Sequence, residues 1–297
     1  MDFPQKFEFG YHLNSWDFKG KAEEGIAFLV KMGFRWFEAL VLDSLDKDFF
    51  RRYGGDLNPG IPFILRDIDI FHRLGLFSRA QAEYGLRVSS LYANASFINP
   101  NLWEFERDMI HGIARFVKGC GSDILVMGGG PPESHYPHTK EDYQNFTRKL
   151  EEVGHFCNSI GIKLAYHPHL ACFIETRKQL DIFMDMVNMD LVGLCIDPAH
   201  FQVNGSDPVD ILQTYVKAVR YLHFKDCKGD LAKLRFRSFC PLGEGVVDLR
   251  SLANILLQNG YDGRIIMELD IVDDADAGCR QNVDYVTKTL GLNLTVS

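Results

Sequence analysis

Histidines and carboxylates recur at close spacing through the second half of this chain. His167 and His169 stand in LAYHPHL, Asp197 and His200 in CIDPAH, His223 and Lys225 in YLHFKD, and Glu268 and Asp270 in IIMELD. Each group ends an apolar run, where a buried imidazole or carboxylate costs free energy unless it finds a partner. Residues two apart in a strand face the same side, with Cα atoms about 6.6 Å apart. Each such pair can therefore aim both members into one space. Imidazole and carboxylate donors carried by separate rigid strands suit a divalent ion such as Mn²⁺, Co²⁺, Mg²⁺ or Zn²⁺. A lone buried histidine is more often a hydrogen-bonded core residue. Asp197 alone would pass as a helix cap or turn former. Four strand ends that all carry ligand-type residues favour a metal centre.

The elements that must position these residues alternate along the chain. Strands are expected over 7–14, 34–40, 87–94, 123–129, 162–169, 191–197, 220–226 and 264–270. Helices are expected over 21–33, 61–85, 102–118, 139–160, 176–187, 207–218, 249–260 and 280–290. Thr139 and Asp142 read as a helix start and Gly161 as a stop. Eight strand–helix units imply a parallel sheet covered by helices, and a closed (β/α)8 TIM barrel accommodates them best, as one domain over 1–297. A doubly wound sheet is the runner-up, but its glycine-rich phosphate turn is missing after the first strand, where NSWDFKG stands.

In a barrel of this kind the active site lies at the C-terminal ends of the strands. That rule adds His12 and Asn14 from the first strand, Glu38 from the second, and Tyr92 and Asn94 from the third. Trp16, Trp36 and Tyr92 are candidates for an apolar wall behind a sugar ring, although core packing explains them equally. GGGPP at 128–132 suits either a close backbone approach to a ligand or a turn. Two long connections, 41–60 and 226–245, are candidate lids. Lys228, Lys233, Arg235 and Arg237 in the second are candidates for holding an anion, with a solvated basic loop as the plainer reading.

The 297 residues carry a net charge of −8, which argues against nucleic acid as the main partner. The seven cysteines form no C-x-x-C pair, as expected of reduced thiols in the cytoplasm. No signal peptide or membrane span is legible, so neither a membrane nor a nucleic acid is an expected partner. A small sugar or polyol is, and a homo-oligomer is compatible with the sequence.

The segments LAYHPH, CIDPAH, HFKD, PLGEGVVD and IIMELD resemble the xylose isomerase-like superfamily of TIM barrels, the sugar phosphate isomerase/epimerase group. YHPH together with GEG-hydrophobic-D resembles its inosose dehydratase branch. The resemblance implies metal ligands at the ends of strands five to eight, here His167, Asp197, His223 and Glu268, with Mn²⁺ or Co²⁺ favoured over Mg²⁺ or Zn²⁺. The family's usual glutamate on strand five is His167 in this chain, and Glu175 is the alternative fourth ligand. The chemistry implied is proton abstraction next to a carbonyl, leading to isomerisation, epimerisation or dehydration. Glu268 is the first candidate base, His169 or His200 the acid, and Lys225 a substrate contact or an ion-pair partner of Asp226 or Glu268. Substrate contacts are expected from His12, Asn14, Trp36, Glu38, Tyr92 and Glu175. Two other functions compete: an endonuclease IV-like phosphodiesterase, which would need a multi-metal cluster and a basic groove, and a non-catalytic sugar-binding barrel.

Overall fold

Short runs of aromatic and branched residues bounded by glycine and charge form eight parallel strands in a computed structural model of the chain. They are β1 (Glu8–His12), β2 (Trp36–Leu40), β3 (Arg87–Ala95), β4 (Ile124–Gly129), β5 (Lys163–Tyr166), β6 (Val192–Ile196), β7 (Val219–Phe224) and β10 (Arg264–Met267). They close into a barrel in the order β1-β10-β7-β6-β5-β4-β3-β2. Among the described residues, two further strands, β8 (Asp226–Cys227) and β9 (Phe239–Cys240), form an antiparallel pair in the connection after β7. The structure describes residues 3–40, 67–101, 103–135, 137–270 and 272–295, and for 67–74 the backbone alone. The candidate lid at 41–60 lies outside the described residues, as does the start of the helix expected over 61–85.

The helices bury the stripes that their periodicity announces. Trp103–Gly119 turns Ile110, Ile113, Ala114 and Val117 inward, and Lys140–Ser159 does the same with Phe146, Leu150, Val153 and Cys157. Thr139 opens the latter helix with a full capping box: its side chain accepts from the Asp142 N–H, and the Asp142 carboxylate accepts from the Thr139 N–H. Among the described residues, no helix is long and apolar enough to cross a membrane.

Inside the barrel, Ile124, Val126, Ala165, Cys195, Tyr221 and Ile266 pack as a plug. Burying each large member stabilises the fold by about 1.5–3 kcal/mol. Tyr221 donates across the lumen to Ser89 Oγ at 2.7 Å, so the plug's one phenol is satisfied. This layer is the floor on which the strand-end residues stand. The glycines that end β4 serve packing. A Cβ at Gly128 would lie 2.2 Å from Tyr92 Oη, and one at Gly129, where φ is +112°, would lie 2.1 Å from Ala95 O.

Candidate active site

Most of the residues expected to converge do so at the C-terminal ends of the barrel strands. His167 follows β5 directly, and its N–H continues the ladder to Met127 O at 2.7 Å. Glu268 follows β10, its N–H bonded to Phe224 O at 2.9 Å. His223 lies within β7. Asp197 follows β6 and has two jobs. Its Oδ1 accepts from Ala199 N–H at 2.8 Å and caps the helix Pro198–Val203, while its Oδ2 is left for the site. One ligand atom from each of His167, Asp197 and His223 lies within 4.8 Å of the others. His223 Nδ1 comes within 2.8 Å of Glu268 Oε2 without the alignment of a hydrogen bond.

The unmet bonding capacity is concentrated here. Asn14 Oδ1, Glu38 Oε1, His167 Nδ1, Asp197 Oδ2, His200 Nε2, His223 Nδ1 and Glu268 Oε2 are buried atoms with no hydrogen-bond partner among the described residues. Buried polar atoms are normally satisfied, so the unpartnered nitrogen and oxygen atoms of His167, Asp197, His223 and Glu268 fit a cation. The charges agree. Asp197, Glu268 and Asp270 meet a single ammonium, that of Lys225, whose Nζ is 3.9 Å from Asp197 Oδ2, 3.0 Å from Glu268 Oε1 and 2.8 Å from Asp270 Oδ2. Burial pushes the Asp197 carboxyl up to about 7, with Lys225 opposing and Glu268 adding to the shift. Burial works against charge on Glu268 too, but Lys225 and His223 outweigh it and hold that carboxyl well below the usual range. Lys225 is held well above the lysine range by Asp270, Glu268 and Asp197 against the cost of burial. The imidazole of His167 is shifted well below its ordinary value by burial, with His223 and His169 adding, which keeps the lone pair of one ring nitrogen free. The donors His167, Asp197, His223 and Glu268 therefore fit a divalent ion.

A cavity of about 640 Å³ opens above these atoms, walled by Phe18, Leu40, Tyr92, His169, Leu170 and Phe236. His12, Asn14 and Asp270 also face it. Asn14 Nδ2 bridges Glu268 Oε1 and Asp270 Oδ1, both at 2.9 Å. Tyr92 gives its hydroxyl to Asn94 Oδ1 at 2.8 Å and sets its ring 5.5 Å from that of His167. His169 donates from Nδ1 to Leu170 O at 2.8 Å, which leaves Nε2 bare, and burial pushes its pKa down to about 4. His12 has the opposite polarity. Its Nδ1 accepts from Asn14 N–H at 3.1 Å, so Nε2 carries the ring proton. His200 stacks beside His169 at 3.7 Å between ring centroids and lies 3.5 Å from Asp197 Oδ2.

Several expectations need correction. Trp36 is at the opposite end of the barrel: it opens β2, donates to Glu8 Oε2 at 2.6 Å and lies between the guanidinium groups of Arg87 and Arg264. A residue that begins a strand belongs to the bottom of a barrel, whatever its chemistry. Glu38 does not reach the cavity. It is 0 % exposed and bonded to His223 Nε2 at 2.8 Å. Glu175 stands apart from the ligand atoms, because its carboxylate holds the turn after β5 by accepting from Ala171 N–H at 2.8 Å. Trp16 packs in the core against Tyr11 and Phe28. Lys225 pairs with Glu268 and Asp270; Asp226 points away and accepts four backbone N–H groups, from Cys227, Gly243, Gly245 and Val247. Asp226 thus ties down the PLGEG loop, a role the sequence reading missed although the glycines beside it hinted at close backbone packing. That reading also saw only charge in RFRSF. Phe236 in fact overlies His169, with ring centroids 5.9 Å apart, and the Phe239 ring lies 4.2 Å from the Lys225 ammonium.

Known proteins resemble this chain to different degrees. The inosose dehydratase of Geobacillus kaustophilus is 26% identical over 212 residues, 63% of this chain and 69% of that protein. The inosose dehydratase of Clostridium botulinum is 24% identical over 218 residues, 66% of this chain and 73% of that one. The chain spans about half the length of other inosose dehydratases it matches, such as the 48% covered in the Clostridium tetani protein. Among solved structures, the probable 3-DHS dehydratase AsbF of Bacillus anthracis has a TM-score of 0.71 at 12% identity, covering 95% of this chain and 99% of that one. The IOLI protein, solved with a bound zinc atom, has a TM-score of 0.71 at 17% identity, covering 96% and 98%. At those identities the likeness is one of fold. The sequence model of the xylose isomerase-like TIM barrel matches residues 26–289, nearly the whole of the barrel just described, and the chain belongs to that family.

Proposed function

We propose that this chain is a divalent-metal-dependent enzyme that removes a proton next to the carbonyl of a polyol-derived ketone, and that its reaction is a dehydration of the inosose type. The observation that carries this reading is the set of unpartnered buried atoms on His167, Asp197, His223 and Glu268 at the base of a cavity of sugar size. The match to inosose dehydratases narrows the substrate class. A divalent cation held by those four residues would supply Lewis-acid stabilisation of the negative charge that develops on the substrate's oxygens.

The chain's own groups divide the remaining work. Glu268 is held as an anion by Lys225 and His223, which suits a ligand better than a base. His169 is the better proton carrier. Its bare Nε2 belongs to a ring that stays neutral near pH 7 and lines the cavity. In the proposed reaction the C–H bond next to the carbonyl breaks toward His169 Nε2, and its electron pair becomes the C=C to the neighbouring carbon as that carbon's C–O bond breaks, the C–O pair leaving with the oxygen. The departing hydroxide takes the proton that His169 received and leaves as water, and the product is a conjugated enone. The N–H of His12 Nε2 offers a hydrogen bond to a substrate oxygen from another wall of the cavity. Tyr92, Leu40, Phe18 and Phe236 exclude water from the carbon skeleton.

The test is direct. Purified protein is stripped of metal, reloaded with Mn²⁺, Co²⁺, Mg²⁺ or Zn²⁺ in turn, and supplied with an inosose while the absorbance of a conjugated enone is followed. One equivalent of bound metal with metal-dependent enone formation is expected. Turnover of a ketose to its epimer with no enone would replace dehydration by epimerisation. Undiminished turnover in the stripped protein would remove the metal from the mechanism.

A further inference from the structure

Glu38 is fully buried in the middle of β2, yet its carboxylate reaches across the barrel lumen to a strand with which β2 does not pair. It meets His223 on β7, with Oε2 2.8 Å from Nε2. This bond lies one layer above the Tyr221–Ser89 bond that also crosses the lumen. Oε1 of Glu38 has no hydrogen-bond partner among the described residues, so the carboxylate's one described bond is to this imidazole. A carboxylate only accepts, so Nε2 of His223 must be the donor. The other ring nitrogen, Nδ1, then faces Glu268 Oε2 at 2.8 Å and Asp197 Oδ2 at 3.9 Å.

We propose that Glu38 is a positioning residue: it keeps the proton of His223 on Nε2 and so turns the Nδ1 lone pair toward the cation site. The inference rests on the cation reading given above. Both partners are buried on barrel strands, and the bond between them sets the polarity of the imidazole. Without the carboxylate, the ring proton is free to move to Nδ1, where it blocks the lone pair that faces Asp197 and Glu268. A carboxylate behind a ligating histidine raises its basicity and fixes its orientation, and removing such a partner typically costs 10–100-fold in metal affinity. A substrate contact, the role first suggested by the position of Glu38 on β2, would require access to the cavity, and Glu38 has none.

The test uses zinc, which is diamagnetic, on the full chain. Zinc affinity is measured by competition with a chelating dye for wild type, Glu38→Gln, His223→Ala and the double variant. Ring ¹⁵N spectra of the zinc-loaded wild type show which nitrogen of His223 is bound. The expected results are zinc on Nδ1 with the proton on Nε2, and a 10–100-fold weaker affinity in Glu38→Gln. In the His223→Ala background the Glu38 change should add nothing, and KM for the ketone at saturating metal should stay within twofold. Affinity unchanged in Glu38→Gln, or zinc on Nε2, overturns the positioning role. A raised KM at saturating metal with unchanged zinc affinity returns Glu38 to the substrate. No zinc uptake by wild type overturns the cation reading itself, a failure distinct from Glu38-independent uptake. If Glu38→Gln does not fold, the wild-type spectrum still decides.

Discussion

At the N-terminal end of the barrel a cavity of about 480 Å³ is lined by Glu8, Trp36, Asp123, Arg220 and Arg264 among others. At the C-terminal end a cavity of about 640 Å³ stands over His167, His223 and Glu268. Both are rich in charge, and they differ in how that charge is used. At the N-terminal end, Glu8 takes the indole N–H of Trp36, Arg264 pairs with Asp123, and Arg220 donates to the carbonyls of Leu164, Met189, Asp190 and Leu191. At the C-terminal end, bonds are made up to the last atom and then stop: one oxygen of Asp197 caps a helix and one oxygen of Glu268 meets Asn14 and Lys225, while the second oxygen of each is left over. A charged cavity alone therefore identifies no site. Residual bonding capacity does, because buried polar atoms are normally satisfied.

Substitutions at the two ends should separate accordingly. His223→Ala carries the largest expected effect: loss of the bound metal and a fall in turnover of about 10³-fold or more, since Lewis-acid stabilisation is worth several kcal/mol. Metal analysis beside steady-state kinetics checks it, and a variant that keeps both metal and turnover would erase the contrast. Arg220→Ala is the counterpart at the bottom. It strips four carbonyls of their donor and should cost about 3 kcal/mol of unfolding free energy, read by urea denaturation. KM and metal content of the folded fraction should not change. Trp36→Phe is the finest test. Loss of the bond to Glu8 and weaker contact with Arg87 and Arg264 should cost about 1 kcal/mol, with KM unchanged. A KM raised several-fold would place Trp36 back among the substrate contacts.

Much of this was legible before any coordinates, for a physical reason. Strand ends such as YHPH and MELD announce themselves because a polar residue closing an apolar run breaks a two-residue period. A strand of known direction also assigns each end to a face, which brought His167, Asp197, His223 and Glu268 to one rim. Trp36 failed that logic by a few residues: the strand expected over 34–40 starts at Trp36, so the indole sits at its beginning. Glu38 illustrates a different limit. Its face is set by local periodicity, but its partner lies on a strand 185 residues away, across the lumen. Three of the four N–H groups gathered by Asp226 are also non-local, 17, 19 and 21 residues along the chain. The Asp197 capping bonds, in contrast, are local, and the D-P start of that helix carried the signal.

The divided carboxylate of Asp197 has a consequence for entropy. A free aspartate must give up rotamer freedom when it binds a cation, and that loss weakens the complex. Here the helix Pro198–Val203 has already immobilised the group through Oδ1, and Oδ2 has its direction from the moment the chain folds. The ordering cost falls on folding, where many other contacts offset it, and not on the encounter with the ion. If Asp197 holds the proposed cation, ion and scaffold are linked through one residue: whatever frays that short helix would also loosen the grip on the cation, with no contact between the two.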